Sequence, residues 1–247
     1  MVAKRASSAW ERYAWVAGIV FVIALVAEFV ISAGVGVSQN DPAAKIANAL
    51  DHYRGRLLVI AYLSVIYAAT FPIYLSKLSG LLRTDTARPR FLGSLVLAGG
   101  MLFVALHAVS DIGITGLLGA KLATFGAQHD HGLSYALYLM TFAVDSVGDV
   151  FGSLFAVAAG MLVIGNRVLP RWLGWASILA GIMFFLQGFG LGGVIATFGL
   201  VLDLIGFVLF LIFVLVSSVT LLTRERHGPL ATGGDQGVVK LGTGDGP

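Results

Sequence analysis

The stretch AWVAGIVFVIALVAEFVISAGVGV, residues 14–37, decides the class of this fold. It carries a single charge, Glu28, and an α-helix rising about 1.5 Å per residue would cross a hydrocarbon core of roughly 30 Å over this length. Lys4, Arg5 and Arg12 precede it, as basic residues precede a secretory signal. A cleavable signal, however, has an apolar core of only about 7–15 residues. The stretch therefore reads as a retained first membrane helix.

The same composition recurs along the chain. Of 247 residues, 57% are hydrophobic and 12% charged, against about 25% charged in a soluble domain. Six apolar spans are expected, at 14–37, 57–82, 92–118, 133–164, 173–189 and 197–222. Residues 1–227 then form one all-α polytopic membrane bundle. SQNDP (38–42), RTDTARPR (83–90) and NRVLPRW (166–172) supply breaks between spans. GFGLGG (188–193) supplies the glycines of a tight turn, making the last two spans a hairpin. The Gly-rich segment 228–247 has too little apolar surface to fold and is expected to be a disordered tail.

Charge distribution sets the expected orientation. Of 16 Lys and Arg, only Lys45, Arg54, Arg56 and Lys121 fall on one side of the six-span topology. The excess on the other side places both termini in the cytoplasm. Trp10, Trp15, Trp172 and Trp175 fall near that cytoplasmic boundary, where amphipathic rings are enriched. The net charge of +3 is spread between apolar runs rather than gathered in a patch, so no nucleic-acid partner is expected. With no cysteine, disulfides, thiolate ligands and cysteine nucleophiles are excluded. No P-loop, dinucleotide fingerprint or zinc-protease motif is present. Nor is there a mid-span lysine for retinal or a pair of in-span histidines for haem.

The chemistry lies in the ionisable residues inside the spans: Glu28, His107, Asp111, Asp145, Asp149 and Asp203. An acid at a membrane-helix centre costs about 2.5–3.5 kcal/mol, so each requires compensation. His107 and Asp111 are one turn apart, as are Asp145 and Asp149, so two helices each present a polar stripe. By depth the acids fall in the outer half of the bundle, with Gln187 nearby, and no in-span Lys or Arg balances them. A proton, a metal ion or a cationic solute is expected to do so. The leading reading is an outward-opening pocket that binds or transports a small cation or protonatable solute, through Glu28, Asp111, Asp145, Asp149 and Asp203. A divalent metal on His107, Asp111, His129 and His131, the last two in the loop GAQHDHG (126–132), would instead serve an enzyme acting on a lipid or isoprenoid. A third class is a noncatalytic subunit whose acids dock a partner helix, in a homo-oligomer or larger membrane complex. Structural alternatives stand beside these. Glu28 and Asp203 can act as hydrogen-bonding glue between helices, and Gly148, Gly152 and Ser153 read as packing residues.

Three stretches, YAWVAGIVFVIALVAEF (13–29), RGRLLVIAYLSVIYAATFPIYL (54–75) and LPRWLGWASILAGI (169–182), resemble a family of bacterial and archaeal six-helix membrane proteins called domain of unknown function 4386. The P-R-W-L-G turn is the most distinctive element. The resemblance implies a six-helix architecture in a prokaryotic plasma membrane and brings no established activity. Among the candidate site residues only Glu28 lies inside a matching stretch.

Overall fold

The computed structural model describes residues 9–38, 40–82, 87–188 and 196–226. Among these the regular elements are helices: α1 (Ala9–Ala33), α2 (Ala43–His52), α3 (Arg54–Leu82), α4 (Ala87–Ala108), α5 (Ala123–Gln128), α6 (His131–Asn166), α7 (Arg171–Gly188) and α8 (Ala196–Arg226). Five segments are long and apolar enough to cross a membrane: Arg12–Ala33, Arg54–Leu82, Arg90–Gln128, His131–Asn166 and Leu204–Arg224. The 18-residue α7 stands where the fifth span is expected. Apolar side chains cover the outside as well as the inside. Ile23, Val30 and Phe91 are each about two-thirds exposed, an outer surface suited to lipid rather than water.

Neighbour contacts run α1–α3–α4–α6–α7–α8 and back to α1, closing a ring. Each of these helices sends one phenylalanine to the centre: Phe21, Phe71, Phe103, Phe155, Phe184 and Phe210, all at most 6% exposed. Their rings touch with centroids 4.5 Å apart for Phe21–Phe71, 6.3 Å for Phe71–Phe103, 6.0 Å for Phe103–Phe184 and 5.9 Å for Phe184–Phe210. Phe155 closes the layer onto Phe71 and Phe210 at 5.8 and 5.9 Å. Such edge and offset pairs each contribute about 0.5–1.5 kcal/mol beyond burial.

Small residues let the helices approach. A Cβ on Gly99 would sit 2.8 Å from the backbone nitrogen of Phe155 and 2.9 Å from the carbonyl oxygen of Phe151, which presses α4 directly onto α6. Gly160 and Gly174 do the same between α6 and α7, each facing the other's carbonyl oxygen. Close approach of this kind replaces the hydrophobic drive that lipid cannot supply between helices.

The third span is longer than its sequence pattern predicts. The helix runs on from Ala108 through π-helical turns at Val109–Thr115 and Leu118–Leu122 into α5, rather than ending near residue 118. Its extension is covered by α2, whose buried Ile46 and Leu50 pack in one cluster with Leu57, Ile60, Ile114, Leu118 and Ala123. Thr124 Oγ1 donates to Asp51 Oδ1 at 2.5 Å and accepts from Arg54, joining α5 to α2 and α3. The expected loop GAQHDHG is accordingly almost entirely helical, with only His129 and Asp130 between α5 and α6. The fourth span, expected at 133–164, extends to His131–Asn166. Trp15 also departs from expectation. It is 1% exposed and packs edge-on against Tyr74, whereas Trp172 and Trp175 are exposed. The side chain of Trp10, the expected turn GFGLGG beyond Gly188 and the segment 228–247 lie outside the described residues.

Gly99→Ala is expected to destabilise the bundle by about 1–3 kcal/mol, because backbone atoms rather than flexible side chains stand in the way. Gly80→Ala, where the added methyl meets open space, should be neutral or stabilising by up to about 1 kcal/mol. Chemical unfolding in detergent measures both.

The turn into α2 carries a pH dependence. Asp41 accepts from Lys45 Nζ and from the Ser38 amide, each at 2.8 Å. Lys45 foremost, then Ser38, holds its carboxyl below the usual carboxylate range. The contribution to ordering α2 is thus complete above that range and disappears as pH falls through the lowered value. Amide hydrogen exchange in α2 should accelerate across that acidic window in the native chain. In Asp41→Asn it should already be fast at neutral pH.

Candidate functional site

Where the six phenylalanines sit fixes where the acids sit. On each helix the polar residues lie within about three turns of the layer and toward the α2 end, at about 1.5 Å per residue. Glu28 follows Phe21 on α1, and Ser64 and Tyr67 precede Phe71 on α3. His107 and Asp111 follow Phe103 on the third span, and Asp145 and Asp149 precede Phe155 on α6. Gln187 follows Phe184 on α7, and Asp203 precedes Phe210 on α8. The side chain of Asp203 lies outside the described residues.

Side chains from α1, α3 and the third span meet directly. Tyr67 Oη donates to Asp111 Oδ2 at 2.5 Å. The Glu28 carboxyl lies within hydrogen-bonding reach of Asp111 and Ser64 and in the field of Asp145. Its Oε2 is buried with no hydrogen-bond partner among the described residues, as is Gln187 Oε1. Two carboxyls at this range cannot both be ionised cheaply in a poorly solvated interior.

His107 joins the cluster from the other side. Its Nδ1 lies 2.9 Å from the Phe103 carbonyl oxygen, so Nδ1 carries the proton and donates, and Nε2 is left to face Asp149 Oδ1 at 3.6 Å. The imidazole rests on the Phe103 ring at 4.3 Å, and Asp149 is buried. Gly148 makes this possible, since a Cβ there would stand 2.7 Å from His107 Cε1 and Nδ1. Its place in helix packing is therefore also a place in the site. Gly152 gives the same room to Phe103. Asp111 itself lies within the π-helical turn Val109–Thr115, a local widening that recurs at functional positions in helices.

The expected histidine cluster is not assembled. His129 Nδ1 lies 3.3 Å from the Phe125 carbonyl oxygen, with its ring stacked on Phe125, and His131 Nε2 lies 3.1 Å from the Ala127 carbonyl oxygen. Asp130 caps α6 through Gly132 N at 2.9 Å, and His52 packs edge-on against Tyr53. Among the described residues no three His, Asp or Glu side chains are grouped to hold a metal ion. Conversely, Tyr67 and Ser64 are site residues that a search for charges passes over. Their signal is a tyrosine and a serine one turn apart in the middle of an apolar span, away from the interface where tyrosine is enriched.

A ring of lipid-suited helices around a buried acidic cluster defines a polytopic helical membrane protein with an intramembrane polar site. No protein-family model, curated protein or solved structure matches the chain.

Gly148→Ala should push the imidazole off Phe103 and Asp149, whereas Gly113→Ala, where the methyl meets open space, should not. Nitrogen NMR of the His107 ring is expected to show a changed tautomer balance in the first variant and native signals in the second.

Proposed function

We propose that this chain is a six-span plasma-membrane protein, with both termini cytoplasmic, that takes a small cation or protonatable solute from the outer side into its carboxyl cluster and exchanges it against protons. The observation that carries this reading is the convergence of Glu28, Asp111 and Asp145 from three helices, with Asp149 close behind at His107. The Lys and Arg inside the spans stand toward span ends, as Arg56 and Lys77 do in Arg54–Leu82. Acids in lipid are retained where they do chemistry or carry charge.

The roles divide by position. Tyr67 and Ser64 orient the Asp111 and Glu28 carboxyls. Glu28, whose Oε2 has no hydrogen-bond partner among the described residues, is the proton-exchanging member. Asp145 and Asp149 supply the anionic face toward the cation, and Asp203 is a further acid at the same depth. His107, with its Nδ1 proton committed to Phe103, adjusts the charge beside Asp149. In this reading the Phe layer closes the carboxyl cluster off from the cytoplasmic half, and the cation enters from the outer side. The six spans are the five long apolar segments together with α7 as the fifth in chain order, and on that topology the Lys and Arg distribution puts both termini in the cytoplasm; the resembled family implies the same count.

Because a proton and an ammonium group compete for the same oxygens, apparent affinity for the cation falls as outer pH is lowered. Proteoliposomes with a trapped pH dye, challenged with a panel of small primary and quaternary amines, test this. The expected result is amine-driven proton movement that is abolished in the Asp145→Asn, Asp149→Asn double variant and retained in Asp130→Asn. Folded native protein that neither binds any amine nor moves protons, from pH 5 to 8, would falsify the proposal.

A further inference from the structure

Away from the acids, the surface carries a second built feature. Where α1 ends and α3 begins, Val30, Ile31, Gly55, Arg56 and Val59 line an open groove of about 420 Å³, within the size range of small-ligand sites. Its floor is apolar: Val30 and Val59 are 65% and 45% exposed on the lipid-suited surface. Among the described residues that line it, Arg56 is the one charged side chain and none is a carboxylate.

That guanidinium is held in place before any ligand arrives. Arg56 Nη1 donates to the Gly34 carbonyl oxygen at 2.7 Å, and its Cζ lies 4.7 Å from the Tyr53 ring centroid. Gly34 is needed for this, because a Cβ there would collide with Arg56 Nη1. A preset guanidinium matches phosphate oxygens in a way a flexible ammonium does not. Arg56 also lies only a turn inside the start of the span Arg54–Leu82, where a membrane boundary brings lipid headgroups, and the apolar floor leads from there along α1 and α3.

We propose that this groove binds one anionic phospholipid, with its phosphate on Arg56 and an acyl chain along Val30, Ile31 and Val59. Charge complementarity selects the lipid: a zwitterionic headgroup brings its own ammonium to a site that already has a cation and no acid, whereas phosphatidylglycerol brings only the anion. The groove and the carboxyl cluster are separate features, and neither proposal rests on the other.

Native mass spectrometry of the detergent-purified full chain, incubated with phosphatidylglycerol or phosphatidylcholine, tests it. The native protein should retain phosphatidylglycerol in preference to phosphatidylcholine, and millimolar inorganic phosphate should not displace it. Arg56→Gln should lower retention about fivefold, the size of one basic residue's contribution at a lipid headgroup. Gly55→Leu keeps the charge and fills the groove, since a side chain there meets open space; it should also lower retention. Arg54→Gln, next to the groove but outside its lining, is the control. Equal retention of the two lipids, or retention unaffected by Gly55→Leu, overturns the groove as a lipid site. Displacement by free phosphate overturns the lipid as its ligand.

Discussion

Six phenylalanines, one from each helix of the ring, meet at the centre of this bundle, and the rest of the structure is arranged around that contact. In lipid, side chains gain little from leaving one apolar surroundings for another, so helices associate through close packing and specific contacts. Interlocking rings satisfy that requirement, because each ring touches two or more others. They also fix the rotation of every helix about its own axis. A helix turned by one residue would withdraw its phenylalanine by about 100° and bring its neighbours' polar groups with it.

The acids depend on this constraint. Glu28, Asp111, Asp145 and Asp149 are each expensive in a membrane, and none is affordable facing lipid. The register that brings Phe21, Phe71, Phe103 and Phe155 inward also brings the polar residues one to three turns away toward the interior. Tyr67 then reaches Asp111, and Glu28 reaches both Asp111 and Ser64. Phe103 belongs to both systems: its ring is part of the layer and carries the imidazole of His107, and its carbonyl oxygen fixes that imidazole's proton. Packing and site are thus one construction, sealed on one side by aromatic rings.

Glycine sets the remaining tolerances. Gly99, Gly160 and Gly174 bring backbones together, whereas Gly148 and Gly152 make space for His107 and Phe103. At the α2 end the bundle grows beyond its expected length because α2 covers the extension with Ile46 and Leu50. The same extension carries the π-helical turn that holds Asp111. It turns the stretch read as a metal-capable loop into helix, with Asp130 as a cap and both neighbouring histidine rings facing the α5 backbone.

Sequence by itself determined the all-helical class, the apolar segments and the identity of the acids, because composition and uninterrupted hydrophobic length depend on no partner. The i,i+4 spacing of His107 with Asp111 and of Asp145 with Asp149 gave shared faces, and summed depth gave a common level. What tertiary structure alone decided is which groups touch. Tyr67 and Ser64 are neutral and looked like ordinary span residues until α1 and the third span closed on them. Gly148 looked like a packing residue until His107 occupied the space it leaves. Trp15 had the position of an interfacial ring and became a core ring once Tyr74 packed against it. These outcomes depend on the rotation and mutual approach of helices far apart in the chain. Local pattern carries no information about either, since lipid and a neighbouring helix select the same apolar residues.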